Sequence, residues 1–131
     1  MNQRIDAGQH LLLDLHNVAP KLLMHEEFVR NAMLKAATKT KAKILHSYFH
    51  HFGNNYGVTG VVAVSESHLS IHTWPEWEYA SIDVYLCYGL DPKIAADSLV
   101  DSFSCKLYDI KSIVRQAYVP YGVYKKYDSI S

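Results

Sequence analysis

The sequence predicts an α+β protein, a two-layer sandwich in which an antiparallel sheet carries helices packed on one face. Three observations lead there. Most apolar stretches are short runs of strand-forming residues that stop at Gly, Asn or Pro, while two longer stretches repeat apolar residues at helical spacing. Their order is strand, helix, three or four strands, helix, strand. With 131 residues, 49% of them hydrophobic, the chain has material for one core, so a single domain over residues 1–131 is expected.

His10 to His16 is the first predicted strand. Pro20 precedes a helix over Met24 to Thr38, whose Phe28, Val29, Ala32, Met33 and Ala36 share one face. Ala42 to His50 is a second strand, stopped by Gly53-Asn54-Asn55, residues suited to the positive φ of a turn. Val58 to Val64 follows as a third. Leu69 to Trp74 and Tyr79 to Cys87 form a hairpin around Trp74-Pro75-Glu76-Trp77-Glu78, where proline cannot donate to a ladder. Asp91 as N-cap and Pro92 at the first helical position open a second helix through about Phe103. Leu107 to Val114 returns as a strand, and Tyr118 to Ser131 is expected to be a loosely docked or disordered extension.

Thirteen acidic side chains balance thirteen basic ones, so no overall field draws the chain to nucleic acid or to an anionic membrane, and a small-molecule partner is favoured. Arg4 and Asp6 precede the run Leu11-Leu12-Leu13, which Asp14 and His16 interrupt well short of a signal core or a span; a cytoplasmic address is expected. In that setting Cys87 and Cys105 are expected to be free thiols.

Chemistry concentrates in Ser65-Glu66-Ser67-His68-Leu69-Ser70-Ile71-His72-Thr73-Trp74-Pro75-Glu76, where two histidines, two carboxylates and several hydroxyls fall within a dozen residues. Alternation of such residues with Leu and Ile also suits an ordinary half-exposed strand. His68 and His72 have a spacing that binds zinc on a helix, but a strand rise of about 3.3 Å per residue holds them roughly 13 Å apart. His46 and His50 fail likewise, and no metal site is expected. Ser67, His72 and Asp83 offer the residue types of a hydrolase triad without the Gly-x-Ser-x-Gly elbow.

Hairpin geometry adds a placement. A turn centred on Pro75 to Trp77 pairs Trp74 with Tyr79 and sets Cys87 opposite Glu66, beside Ser67. A tight reversal at Ser65-Glu66 sets Thr59 opposite His72 or within a residue of it, which would gather four reactive groups across three adjacent strands.

The segment Ser65 to Glu76 closely resembles the signature of the prokaryotic S-adenosylmethionine decarboxylase proenzymes, a pyruvoyl-dependent family. The likeness extends through Tyr56-Gly57-Val58-Thr59-Gly60 and Ala80-Ser81-Ile82-Asp83-Val84-Tyr85-Leu86-Cys87, and more loosely to Gly8-Gln9-His10. It implies self-cleavage between Glu66 and Ser67 into a β chain, 1–66, and an α chain, 67–131, with Ser67 becoming the pyruvoyl cofactor and no external cofactor required. It further implies that Thr59 assists ester formation, that His72 removes the Ser67 α-proton, and that Cys87 donates a proton during decarboxylation. Phe52 and Glu76 match substrate-binding positions; His68 matches without a definite role, since neighbouring strand residues point to opposite faces. A homodimer of αβ units with its sites near the interface is the implied assembly.

Family members usually carry threonine before the matching cysteine and glycine after it, where this chain has Leu86 and Tyr88, with Gly89 one position later. The loop Phe52-Gly53-Asn54-Asn55-Tyr56 is one residue longer than usual and lacks its proline, and Arg115-Gln116 replaces an Arg-Gly pair. Intact processing residues beside altered pocket residues leave two further expectations open. One is a pyruvoyl-dependent arginine or ornithine decarboxylase; the other, against which the joint presence of Ser67, His72 and Cys87 argues, is a catalytically silent partner subunit.

Overall fold

The computed structural model describes residues 1–87 and 89–122, and in them the α+β two-layer architecture is found. The elements are β1 (Asn2–His16), α1 (Pro20–Leu23), α2 (Glu26–Lys39), β2 (Ile44–His51), β3 (Val58–Val64), β4 (Ser67–Trp74), a 3-10 turn (Pro75–Trp77), β5 (Tyr79–Cys87), α3 (Pro92–Ser102) and β6 (Leu107–Pro120). The strands make one sheet in the order β2-β3-β4-β5-β1-β6, and every neighbouring pair is antiparallel.

Period-2 alternation divides this sheet into two unlike faces. Leu11, Leu13 and Leu15 of β1, Leu69 and Ile71 of β4, and Ile82, Val84 and Leu86 of β5 are buried on the helix side. There they join Val29, Met33 and Ala36 of α2 and Ala96 and Leu99 of α3 in one core. Fully burying side chains of this size stabilises by about 1.5–3 kcal/mol each, the main force holding the two layers together. The other face carries polar and aromatic residues, among them His10, Thr59, Ser70, His72, Asp83 and Tyr85, all part-exposed.

The helical run predicted from Met24 is broken there. Pro20–Leu23 forms a separate turn, and α2 starts at Glu26 because His25 turns extended and its Nδ1 accepts the Phe28 N–H at 3.0 Å. Asp91 caps α3 as expected, accepting the Lys93 N–H at 2.9 Å. β1 and β6 both extend beyond their predicted bounds. Asn2–Asp6 pairs with Gln116–Pro120 as a ribbon that outruns β5, so Tyr118–Pro120, expected in a loose tail, lies in a strand. The rest of that tail, from 123 onwards, is outside the described residues.

Two close approaches fix the backbone near the predicted site. Gly60 lies opposite Phe49, whose ring occupies the space a Cβ would need, the nearest ring atom being 2.1 Å from it. Gly8 lets β1 reach Cys87: a Cβ there would stand 2.7 Å from the Leu86 carbonyl oxygen, immediately after a bulge between Asp6 and Gly8. No helix among the described residues is long and apolar enough to cross a membrane. Both Cys87 and Cys105 are free thiols.

Thr73 holds the layers together by its hydroxyl. Buried on the helix side, its Oγ1 donates to the Leu23 carbonyl at 2.6 Å and accepts the Val58 N–H at 2.8 Å, tying α1 and β3 to β4. Thr73→Val keeps the shape but strands both partners, and should cost about 2 kcal/mol of stability. Chemical denaturation compared with Thr73→Ser, which keeps the hydroxyl and should lose less, checks this.

Candidate active site

The reversal between β3 and β4 is tight: Val64 pairs with Ser67, leaving Ser65-Glu66 as the connection. Two-residue hairpin loops usually take their positive φ inside the loop. Here neither Ser65 nor Glu66 does so, and the positive φ falls on Ser67, at 137°. An L-residue held there carries strain of about 1–3 kcal/mol. That strain sits at the Glu66–Ser67 peptide.

The junction is gripped on three sides. Cys87 N–H donates to the Glu66 carbonyl at 2.8 Å, a consequence of the β4–β5 register that pairs Ser67 with Leu86 and Trp74 with Tyr79. The Glu66 side chain accepts the Lys43 N–H at 3.1 Å, and Ser65 N–H donates to the Lys43 carbonyl at 2.9 Å. A carbonyl that accepts an N–H bond is polarised toward attack at its carbon. The Ser67 hydroxyl lies 3.2 Å from His68 Nδ1.

Cys87 lies half-buried beside this junction. Burial pushes its thiol above the ordinary cysteine range, and the Glu66 carboxylate adds to the push. A hollow of about 220 Å³ next to it is lined by Asp6, Gly8, Gln9 and Leu90 among others. Leu86, which stands where family members usually carry threonine, points into the core and is fully buried. The thiol's surroundings are therefore not narrowed by it. Tyr88 is outside the described residues.

At the far end of β4, Thr59 and His72 are cross-strand partners, as the hairpin geometry predicted. They line an open-face depression of about 270 Å³ together with Tyr48, Ser70, Ser81 and Asp83. Phe52, about half exposed, lies with its ring 5.9 Å from that of His72, which in turn packs 4.1 Å from Trp74. Glu76 is exposed and borders a hollow of about 420 Å³ with Asn54, Asn55 and Tyr56.

The expected residues thus fall into two groups. Glu66, Ser67 and Cys87 stand at one end of β4, and Thr59, His72, Phe52 and Glu76 at the other. Five residues of strand, about 17 Å, separate Ser67 from His72. The registers are those predicted, yet they do not bring all four reactive groups to one point, and the Ser67, His72, Asp83 trio does not assemble. Between the two groups runs a polar network that the sequence did not single out. His10 Nε2 is 3.0 Å from Asp83, Ser70 donates to Asp83 at 3.3 Å, and Tyr85 packs against both His10 and His68 with Arg115 over its ring. The signal available beforehand was alternation, which puts Asp83, Tyr85 and His68 on the His72 face.

Fold and site together define a class: a two-layer α+β protein with a strained hairpin exit that combines a polarised carbonyl, a hydroxyl, an imidazole and a thiol. The family model described as S-adenosylmethionine decarboxylase matches residues 9–116. An S-adenosylmethionine decarboxylase proenzyme of Thermodesulfovibrio yellowstonii is 43% identical over 109 residues, 82% of this chain and 80% of that one. One of Pyrococcus abyssi is 37% identical over 109 residues, 82% of this chain and 78% of its own. The crystal structure of the adenosylmethionine decarboxylase of Aquifex aeolicus superposes with a TM-score of 0.80 at 30% identity, covering 92% of this chain and 98% of that one. The chain belongs to the S-adenosylmethionine decarboxylase family.

The raised thiol has a measurable consequence. In an uncleaved Ser67→Ala chain, Cys87 should react with iodoacetamide at pH 8 more slowly than a free cysteine, because less of it is thiolate. Glu66→Gln in that background should speed the reaction, since one of the two causes of the shift is removed. Peptide mass spectrometry resolves Cys87 from Cys105.

Proposed function

We propose that the chain is a self-processing S-adenosylmethionine decarboxylase, a carboxy-lyase whose Ser67 becomes its pyruvoyl group and whose product is decarboxylated S-adenosylmethionine, an aminopropyl donor for spermidine synthesis. The observation that carries this reading is the Glu66–Ser67 junction, where strain, a polarised carbonyl and a neighbouring hydroxyl coincide. Relatives named as proenzymes of this activity align across most of the chain and support it. No observation on the described residues favours arginine or ornithine, and an intact junction gives no support to a silent partner.

The geometry at the junction supports the following course of processing. Ser67 Oγ attacks the Glu66 carbonyl carbon, the C–N bond breaks, and the amide becomes an ester with a free amine on Ser67. Release of the positive φ at Ser67 assists the step. Removal of the Ser67 α-proton then breaks the Cβ–Oγ bond and expels Glu66 as a carboxylate. The resulting dehydroalanine takes up water and loses ammonia, leaving 1–66 as the β chain and 67–131 as the α chain.

The residues around Ser67 fit a pyruvoyl group, since the position is part-exposed, Gly8 holds β1 close, and the Cys87 thiol is near. Such a group supplies a carbonyl that takes up the substrate amine and the electron pair released with carbon dioxide. Cys87, kept protonated by burial and by Glu66, returns a proton to the carbon that lost the carboxylate. From a second copy, Phe52 offers a face to the adenine ring, and Glu76 a carboxylate to polar groups of the substrate.

His72 and Thr59 complete the site from a second copy. About 17 Å of strand keeps them from Ser67 of their own chain. The open face, where Tyr48 and Val61 are exposed, offers a surface for a two-fold partner. Two open faces laid together with β4 strands reversed bring Ser67 of one copy toward His72 of the other, giving a homodimer of αβ units. Free thiols and balanced charge suit a cytoplasmic enzyme.

Intact-mass spectrometry should find two fragments meeting between Glu66 and Ser67, the second blocked by a pyruvoyl group, with Ser67→Ala whole. The cleaved protein should release carbon dioxide from S-adenosylmethionine and not from arginine or ornithine. A single folded, uncleaved species would overturn the reading. The shared site has its own check: His72→Ala alone should stay whole, but co-expressed with Ser67→Ala its chain should be cleaved, because one of the two mixed sites then has both residues. An uncleaved His72→Ala chain in mixed dimers would place His72 in its own chain's chemistry.

A further inference from the structure

We propose that His68 is the general base of the ester-forming step, taking the Ser67 hydroxyl proton as Oγ attacks the Glu66 carbonyl. This rests on the self-processing reading and adds to it a catalytic residue.

Adjacent strand residues ordinarily point to opposite faces, which keeps a serine and a following histidine apart. The φ of 137° at Ser67 breaks that alternation at one residue. Its hydroxyl is thereby turned to within 3.2 Å of His68 Nδ1, inside the reach required of a general base. The ring of His68 stands edge-on to Tyr85, 5.7 Å between centroids, on the face where Tyr85 also carries Arg115. His72 of the same chain is about 17 Å away along the strand, and the His72 that a second copy brings serves the later α-proton step.

The proton inventory closes with these groups. His68 Nδ1 receives the proton from Ser67 Oγ while Oγ bonds to the Glu66 carbon. Negative charge gathers on the Glu66 oxygen, where the Cys87 N–H already donates at 2.8 Å. When the C–N bond breaks, the imidazolium returns the proton to the Ser67 nitrogen. No outside reactant is consumed, and His68 ends as it began. His72 retains the later α-proton step, so the two histidines divide the two halves of processing.

Hydroxylamine separates those halves, because it cleaves an ester and leaves an amide intact. His68→Gln and His68→Ala are expected to slow cleavage at least about 100-fold, within the range for loss of a general base. The slow chains should resist hydroxylamine, and added imidazole should restore His68→Ala in part. His72→Ala should behave oppositely, being cut by hydroxylamine into a 1–66 hydroxamate and a chain beginning with free Ser67. Circular dichroism and melting of each variant against Ser67→Ala identify any that fail to fold; rescue by imidazole is a readout that a folding defect would not give. Cleavage of His68→Gln at the parent rate would overturn the proposal, as would accumulation in it of a hydroxylamine-sensitive ester. Failure of the parent chain itself to cleave would instead sink the self-processing reading.

Discussion

The hydrogen bond from the Cys87 N–H to the Glu66 carbonyl is the constraint on which the site depends. It belongs to the β4–β5 ladder, so its geometry is set by the whole hairpin and not by a flexible loop. One backbone contact therefore polarises the Glu66 carbonyl, where cleavage is proposed, and holds the thiol-bearing residue at its side. The same ladder, continued eight pairs to Trp74 and Tyr79, fixes the other end of the strand. A one-residue slip would move Cys87 off Glu66 and at the same time turn Leu69 and Ile71 out of the core. Stability of the core and alignment of the junction are thus enforced by the same register.

That register explains why strain can persist at Ser67. A positive φ costing about 1–3 kcal/mol would relax if the turn were free to change type. Here Glu66 is tied through its side chain to Lys43 and through its carbonyl to Cys87, while Ser65 is tied to the Lys43 carbonyl. The strain is held by three bonds, two to Lys43 ahead of β2 and one to Cys87 of β5.

Much of this was legible in the sequence because the two inner hairpins lack bulges. Counting outward from Pro75–Trp77 gives Trp74 opposite Tyr79 and Cys87 opposite Glu66, and counting from Ser65-Glu66 gives Thr59 opposite His72; the ladder has all of these. The outer strands were less legible. β1 and β2 each carry a bulge, near Ala7 and Leu45, and no residue type there announces it. β6 is exposed along most of its length, so its sequence has no buried face to impose alternation, and its last six residues were not expected to be strand. The positive φ at Ser67 was invisible for a different reason: serine has no preference for it, and only the ladder forces it. Alternation alone gives His68 no role beside Ser67, and this single dihedral breaks it.

The departures from the family pattern bear on substrate choice only where their side chains reach the site. Leu86, one of the changes flanking Cys87, is on the helix side of β5 and fully buried, so its bulk is spent in the core. Gln116 donates to Asp6 at 2.8 Å within the β1–β6 ribbon, replacing a glycine by a cross-strand contact. The longer loop is different. Phe52 N–H is bonded to the Gly57 carbonyl and Tyr56 N–H to the Gly53 carbonyl, so the added length is folded into a turn that presents Asn54, Asn55 and Tyr56 beside Glu76. It borders the hollow beside Glu76, while the displaced Gly89 lines the hollow beside Cys87. A change of loop at the rim alters how a ligand's outer groups are held, whereas the proposed reacting residues Ser67 and Cys87 stand at a junction the ladder fixes. The physical expectation is therefore an enzyme that keeps the family's reaction and differs from its relatives in how tightly it grips the nucleoside end.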